Sequence, residues 1–181
     1  RSRLRWLEGR PPLPARALPT RLRRSRGLGA NAMSAIEVCS DANVAVQWFF
    51  AEGAPETEVE AARDLVRLLV NDRIALYVLD LTRYEVGNAL LRGRAKANAD
   101  QTSVALDALA GTCPVVSPTA TDVRHAIRLA AQYGLTLYDA TYAAVARSRG
   151  AELATLDKAL LKAGLGRRPS EIVEMVRLDA E

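Results

Sequence analysis

Short apolar runs alternate along the chain with longer stretches of helical period, and this alternation predicts the fold class. Residues 35–40 (AIEVCS), 74–79 (IALYVL), 113–117 (CPVVS), 151–155 and 172–176 (IVEMV) are apolar runs of strand length, shorter than a typical helix. Pro114 places the third of these at a strand beginning or a sheet edge. Between the runs, residues 57–72 repeat apolar positions at Val59, Ala62, Leu65, Val66 and Leu69, the spacing of one helix face. Residues 82–97 do so through Val86, Ala89 and Leu90, and residues 100–110 through Val104, Leu106 and Leu109. Helices are also expected over 120–133, 139–149 and 157–163, stopped by Gly134, Gly150 and Gly164, where a left-handed cap favours glycine. Tight hairpin turns are absent, so the strands should pair in parallel through right-handed helical crossovers. The expectation is a three-layer α/β/α domain around a small central parallel sheet of four to five strands.

Composition agrees with one folded domain: 181 residues, 49% apolar and 25% charged. No apolar run reaches the roughly 18 residues that span a bilayer, so no membrane role is expected. Charge changes the picture more. The formal net charge is +4, but residues 1–33 carry nine arginines against one acid, Glu8. Removing them from 25 basic and 21 acidic residues leaves 16 and 20, so residues 34–181 are acidic by four charges. Residues 1–33 also hold four of the eight prolines and show no apolar period. They are expected to be a basic Pro/Arg-rich tail, disordered or foreign to the native protein, with the domain occupying 34–181. A nucleic-acid-binding arm and an organelle transit peptide are the alternatives, the latter weakened by dense Pro and scarce Ser. Cys39 and Cys113 lie in strand-like stretches without metal-knuckle spacing. They are expected to be buried thiols of a reducing, cytoplasmic compartment, with a disulfide between them left open.

In an open parallel sheet, ligands gather at the carboxyl ends of the strands, so the polar groups there are the candidates for chemistry. Asp41 directly follows the first run. Glu85 falls in the first helical turn after the second, Asp139 opens the helix 139–149, and Asp157 follows the 151–155 run. Like charges brought together raise one another's pKa unless something neutralises them. A divalent cation with oxygen ligands would do so, and magnesium needs only one or two protein carboxylates. Such a site activates water and cleaves a phosphodiester without histidine, and the one histidine here, His125, is far in sequence from all four acids. Asn43, Asn88 and Thr155 stand near these acids and are candidates for supporting hydrogen bonds. Each position also has a plain structural reading: Asp41, Asp139 and Asp157 as helix N-caps, Glu85 as a solvated first-turn acid beside Arg83, Asn43 as a cap and Asn88 as a buried amide bonded to backbone. Asp80 shares their geometry and reads as a cap.

The stretches VCSDANVAVQWF (38–49), LTRYEVGNALLR (81–92) and LTLYDATYAAVARSRGAELATLDKAL (135–160) closely resemble the PIN-domain nucleases, in particular the VapC-type toxins of bacterial and archaeal toxin–antitoxin pairs. The similarity covers nearly all of residues 35–176; the order acid, glutamate, aspartate, aspartate is specific as an ensemble. The resemblance implies that Asp41 and Asp139 bind magnesium, or manganese in its place, while Glu85 and Asp157 complete an acidic catalytic pocket. Asn43 and Asn88 match the family's polar positions. It also implies metal-dependent endonucleolytic cleavage of RNA, often tRNA or rRNA, inhibition by a VapB-type antitoxin protein, and a homodimer. Asp80 departs from the small residue or proline expected there.

RNA affinity must come from local patches on so acidic a body. Arg92, Arg94 and Lys96 end one helix and Arg147 and Arg149 another, although complementing the helix dipoles explains them as well. Two other classes compete with the nuclease reading. One is a catalytically silent PIN-like module that only binds a partner. The other is a phosphoacceptor signalling domain, which would want a lysine after a late strand, where only Lys158 stands.

Overall fold

A computed structural model describes residues 35–51, 53–93 and 96–179. Four parallel strands form one sheet in the order β3-β2-β1-β4: β1 (Ile36–Ser40), β2 (Ile74–Leu79), β3 (Val115–Val116) and β4 (Glu152–Ala154). Ser40 pairs with Val78 on one side and with Ala154 on the other. The chain walks from β1 outward to β2 and β3, then returns to place β4 against β1's free side. That reversal opens a crevice beyond the carboxyl ends of β1 and β4, where open α/β sheets bind ligands.

Helices cover both faces, because the strands are apolar on both. Helix α2 (Glu56–Val70) lies on β2, with α1 (Ala42–Phe49) beside it; α3 (Thr82–Arg92) packs on α1 and α4 (Ala99–Thr112) on α3. Helix α6 (Leu137–Arg149) lies against β1 and β4, with α5 (Ala120–Tyr133) along its length. The short α7 (Lys158–Lys162) follows β4. The core between these layers includes Val38, Leu65, Leu76, Leu79, Val86 and Tyr142, all at most 2% exposed. Gly134 and Gly150 end α5 and α6 at φ of 67° and 68°, a backbone state in which a side chain is strained.

Several boundaries differ from the sequence expectation. The run 172–176 is not a strand: it lies within helix α8 (Pro169–Leu178), so the sheet has four strands. Pro169 supplies the first turn, and the Glu171 carboxylate accepts the Arg168 backbone N–H at 2.8 Å, a helix-start arrangement that outweighs the β-branched Ile172 and Val173. Those two and Val176 are buried, the one-face spacing of a helix packed on α2. Glu58 of α2, itself buried, fixes the junction by accepting the Ser170 hydroxyl at 2.7 Å. In place of a fifth strand, Arg167 makes a single parallel bridge to Ala154. Helix α3 stops at Arg92 rather than at 97, and Cys113 caps the end of α4 ahead of β3. Both cysteines are buried free thiols. The tail 1–33 and Arg94 lie outside the described residues, within which no helix is long and apolar enough to cross a membrane.

Ile172→Ala should therefore cost about 2–5 kcal/mol of stability in urea unfolding, as for a fully buried aliphatic side chain. A loss below about 1 kcal/mol, the range of surface substitutions, would show that α8 does not close the core.

Candidate metal-binding crevice

Asp41 takes the N-cap position of α1, yet its carboxylate makes no capping bond. One oxygen, Oδ2, instead accepts the Thr155 hydroxyl at 2.6 Å and the Asn43 amide at 2.7 Å. Asn43 Oδ1 in turn accepts the Leu156 backbone N–H at 2.9 Å, which leaves the amide nitrogen facing Asp41. Thr155 is fully buried at the end of β4 and its oxygen also accepts the Asp157 N–H at 3.0 Å. The Asp41 N–H donates to Ala154 O at 2.9 Å. So the ends of β1 and β4 are joined across the crevice, with the Asp41 carboxylate at the join. Gly166 permits this closeness: a Cβ there would stand 2.6 Å from the Thr155 methyl and 3.1 Å from Leu153 O.

Glu85 and Asp139 lie within electrostatic reach of Asp41. Glu85 stands in the first turn of α3 and accepts the Tyr142 hydroxyl at 2.8 Å. Asp139 stands in the first turn of α6; it does not open the helix, since Thr136 is the cap, donating its hydroxyl to Asp139 Oδ2 at 2.6 Å. Asp157 is tied to the crevice through its backbone, but its Oδ1 accepts the Ala159 and Leu160 N–H groups at 2.8 and 2.9 Å and caps α7. Three acids thus meet electrostatically, while the fourth is turned onto a helix end. Asn43 and Thr155 hold Asp41; Asn88 is exposed on α3, and among the described residues no hydrogen bond ties it to the acids. Asp80 makes no capping bond to α3; its carbonyl accepts Arg83 Nε at 3.1 Å, with the guanidinium over the Tyr84 ring. Arg149 stacks over Tyr77 at 5.5 Å. A surface cavity of about 370 Å³ lined by Ile36, Glu37, Arg149 and Glu152 lies at the other end of β1, away from the acids.

Burial dominates the electrostatics. Asp41 is 3% exposed, and burial, with smaller repulsion from Glu85 and Asp139, pushes its carboxyl up to about 7 against the Thr155 hydrogen bond. Glu85 is raised too, by burial and by Asp139, against the bond from Tyr142. Among the described residues no ion pair involves any of the four acids. This is an uncompensated negative hollow lined by oxygen donors, which fits a hard divalent cation. No group of three or more Asp, Glu, His or Cys side chains is gathered tightly enough to enclose an ion among the described residues, so the fit is to a water-rich ion held by one or two carboxylates. Sequence reasoning missed Thr82, Thr136 and Tyr142; only the D-A-x-Y spacing hinted that Tyr142 lies one turn beyond Asp139.

Residues 38–165 match the PIN domain family. The chain belongs to that family. It is 35% identical over 114 residues to exonuclease VapC9 of Pyrobaculum aerophilum, which covers 62% of this PIN protein and 84% of the relative. A Pyrobaculum aerophilum crystal structure is 30% identical, with a TM-score of 0.55 over 83% of this chain and all of that one. The fold is shared with VapC20 of Mycobacterium tuberculosis, a sarcin-ricin loop cleaving toxin, at 19% identity and a TM-score of 0.55 over 70% and 95% of the two chains. A toxin–antitoxin complex from Klebsiella pneumoniae shares it at 20% identity and 0.54 over 73% and 97%.

Two predictions follow from the crevice of this PIN domain. The folded Asp41 carboxyl titrates near 7 and the unfolded one near 3.8; the folded chain therefore binds the extra proton between those values. That contribution to stability is fully present below about pH 4 and lost as pH rises to about 7, amounting to a few kcal/mol at roughly 1.4 per pKa unit. Urea unfolding of wild type against Asp41→Asn from pH 4.5 to 8 should show the variant gaining stability relative to wild type as pH rises; parallel curves would refute the burial argument. Gly166→Ala, by pressing on a Thr155 whose hydroxyl is tied to Asp41 and to the Asp157 N–H, should cost about 1–3 kcal/mol in the same assay.

Proposed function

We propose that this PIN-domain protein is a magnesium-dependent endoribonuclease, the toxin of a toxin–antitoxin pair. The observation that carries the proposal is the buried Asp41 carboxylate, facing Glu85 and Asp139 at the switch point of the sheet without a cationic partner. Asp41 and Asp139 would hold the ion, magnesium or manganese, which when bound supplies charge neutralisation and an activated water for phosphodiester hydrolysis. Glu85 and Asp157 add negative charge around it. Thr155 and Asn43 orient Asp41 through its Oδ2, while Thr136 orients Asp139. Burial lowers the local dielectric, so the attraction between the carboxylate and an entering cation is stronger there than in bulk water. Asn88, exposed one turn beyond Glu85, is available to a substrate rather than to the acids.

The substrate is RNA, with structured tRNA or rRNA in view because a fold relative cleaves the sarcin-ricin loop. The relative named an exonuclease makes the mode of attack a point to test. A VapB-type antitoxin is the proposed inhibitor, in keeping with relatives solved as toxin–antitoxin complexes, and a homodimer is the proposed assembly. The exposed Val123, Ile127 and Tyr133 of α5 offer apolar surface for such contacts. Function is proposed for the cytoplasm, where RNA, magnesium and free thiols coexist.

The full chain should cut a circular RNA, which has no end for an exonuclease, when magnesium is present and not when it is chelated. Asp41→Asn and Asp139→Ala should each lower the rate more than about a hundredfold, beyond the usual cost of losing a supporting partner of a metal ligand, with circular dichroism unchanged. Cleavage of linear RNA alone would correct the mode to exonucleolytic, and full activity in either variant would end the proposal.

A further inference from the structure

Among the described residues Tyr142 is the largest fully buried side chain, and its hydroxyl is not idle. It lies one helical turn past Asp139 on α6 and donates to Glu85 Oε2 at 2.8 Å, bridging α6 to α3. The Tyr142 hydroxyl oxygen also stands 2.8 Å from Thr82 Oγ1, and Thr82 Oγ1 accepts the Leu79 backbone N–H at 3.2 Å. The direction of the proton in each link can be worked out. The Tyr142 hydroxyl donates to the Glu85 carboxylate. The Thr82 hydroxyl must then donate to Tyr142, and the backbone N–H at the end of β2 fills a lone pair of Thr82. Thr82 and Tyr142 are both fully buried, so neither hydroxyl has water as a substitute partner, and the chain of bonds has one consistent orientation.

We propose that Tyr142 is a positioning residue: its hydroxyl, aligned by Thr82 from the end of β2, fixes the Glu85 carboxylate toward the crevice and so sets the affinity of that crevice for a divalent cation. A glutamate at the first turn of an exposed-sided helix otherwise has freedom to swing to solvent, at no cost to the fold. Phenylalanine in place of Tyr142 keeps the packing volume and removes only the donor. The inference rests on the metal-dependent reading above but concerns a residue that reading does not use.

The test is a double-mutant cycle with two readouts, manganese affinity by calorimetry and kcat against KM for RNA cleavage, using the full chain. Tyr142→Phe should weaken manganese binding and lower kcat each by about tenfold, the scale of one hydrogen bond to a charged group, with KM unchanged. In a Glu85→Gln background the same substitution should change either by less than about twofold. Thr82→Ser, which keeps the hydroxyl, should behave as wild type, and Thr82→Val should lose part of the effect; this pair decides the matter if Tyr142→Phe does not fold. Equal losses in both backgrounds would make Tyr142 structural only and overturn the inference, as would an unaffected Tyr142→Phe beside an active wild type. A wild type that binds manganese but leaves RNA intact would end the proposed activity alone, with the affinities still deciding the role of Tyr142. A wild type that binds no divalent cation would overturn both.

Discussion

A carboxylate buried at the end of a central strand is an expensive thing for a small domain to keep. Asp41 is held there by two side chains that come from opposite directions, Asn43 from its own helix and Thr155 from β4, and neither carries a charge. Hydrogen bonds of this kind favour the ionised form, yet burial outweighs them. The remaining imbalance is unfavourable for the empty crevice and favourable for whatever cation enters it. Much of the surrounding architecture can be understood as support for that one group. The switch in strand order brings Thr155 beside it, Gly166 removes the Cβ that would push Thr155 away, and the first turns of α3 and α6 bring Glu85 and Asp139 within electrostatic reach.

The helix N-termini contribute in different ways. At α6 and α7, a threonine or an aspartate satisfies the free amides directly. At α1 the aspartate in the capping position is withheld from that task, so its charge is left for the crevice while the helix dipole still favours it. Asp157 shows the opposite choice, since its carboxylate is committed to the α7 amides. Two aspartates that look alike in the chain thus differ in what they have left to offer, a distinction set by the backbone that follows each.

Much of this was legible from residues alone, and the exceptions have physical causes. The runs of β1, β2 and β4 stand out because their inner positions, Val38 and Cys39, Leu76 to Leu79, and Leu153 and Ala154, are apolar and covered by helices, as in a parallel sheet. Asp41, Glu85 and Asp139 were readable as strand-end and first-turn positions, and Asn43 and Thr155 as their partners. The segment 172–176 misled because β-branched residues serve a buried helix face as well as a strand, and the deciding signals, Pro169 and Glu171, lie upstream of the run. Tyr142 was invisible as a partner of Glu85, since the two stand 57 positions apart and no spacing rule reaches that far. Thr136 was hidden by the nearby Asp139, itself a good cap. What periodicity supplies is which face a residue occupies; which distant side chain it meets depends on how layers stack.

The central question is whether the charge at Asp41 is kept for a cation. Crystals of the chain soaked in manganese and measured for anomalous scattering address this without relying on activity. The account predicts a peak between the carboxylates of Asp41 and Asp139, with Thr155 still bonded to Asp41. A crevice without scattering, or an ion seated away from Asp41, would contradict it.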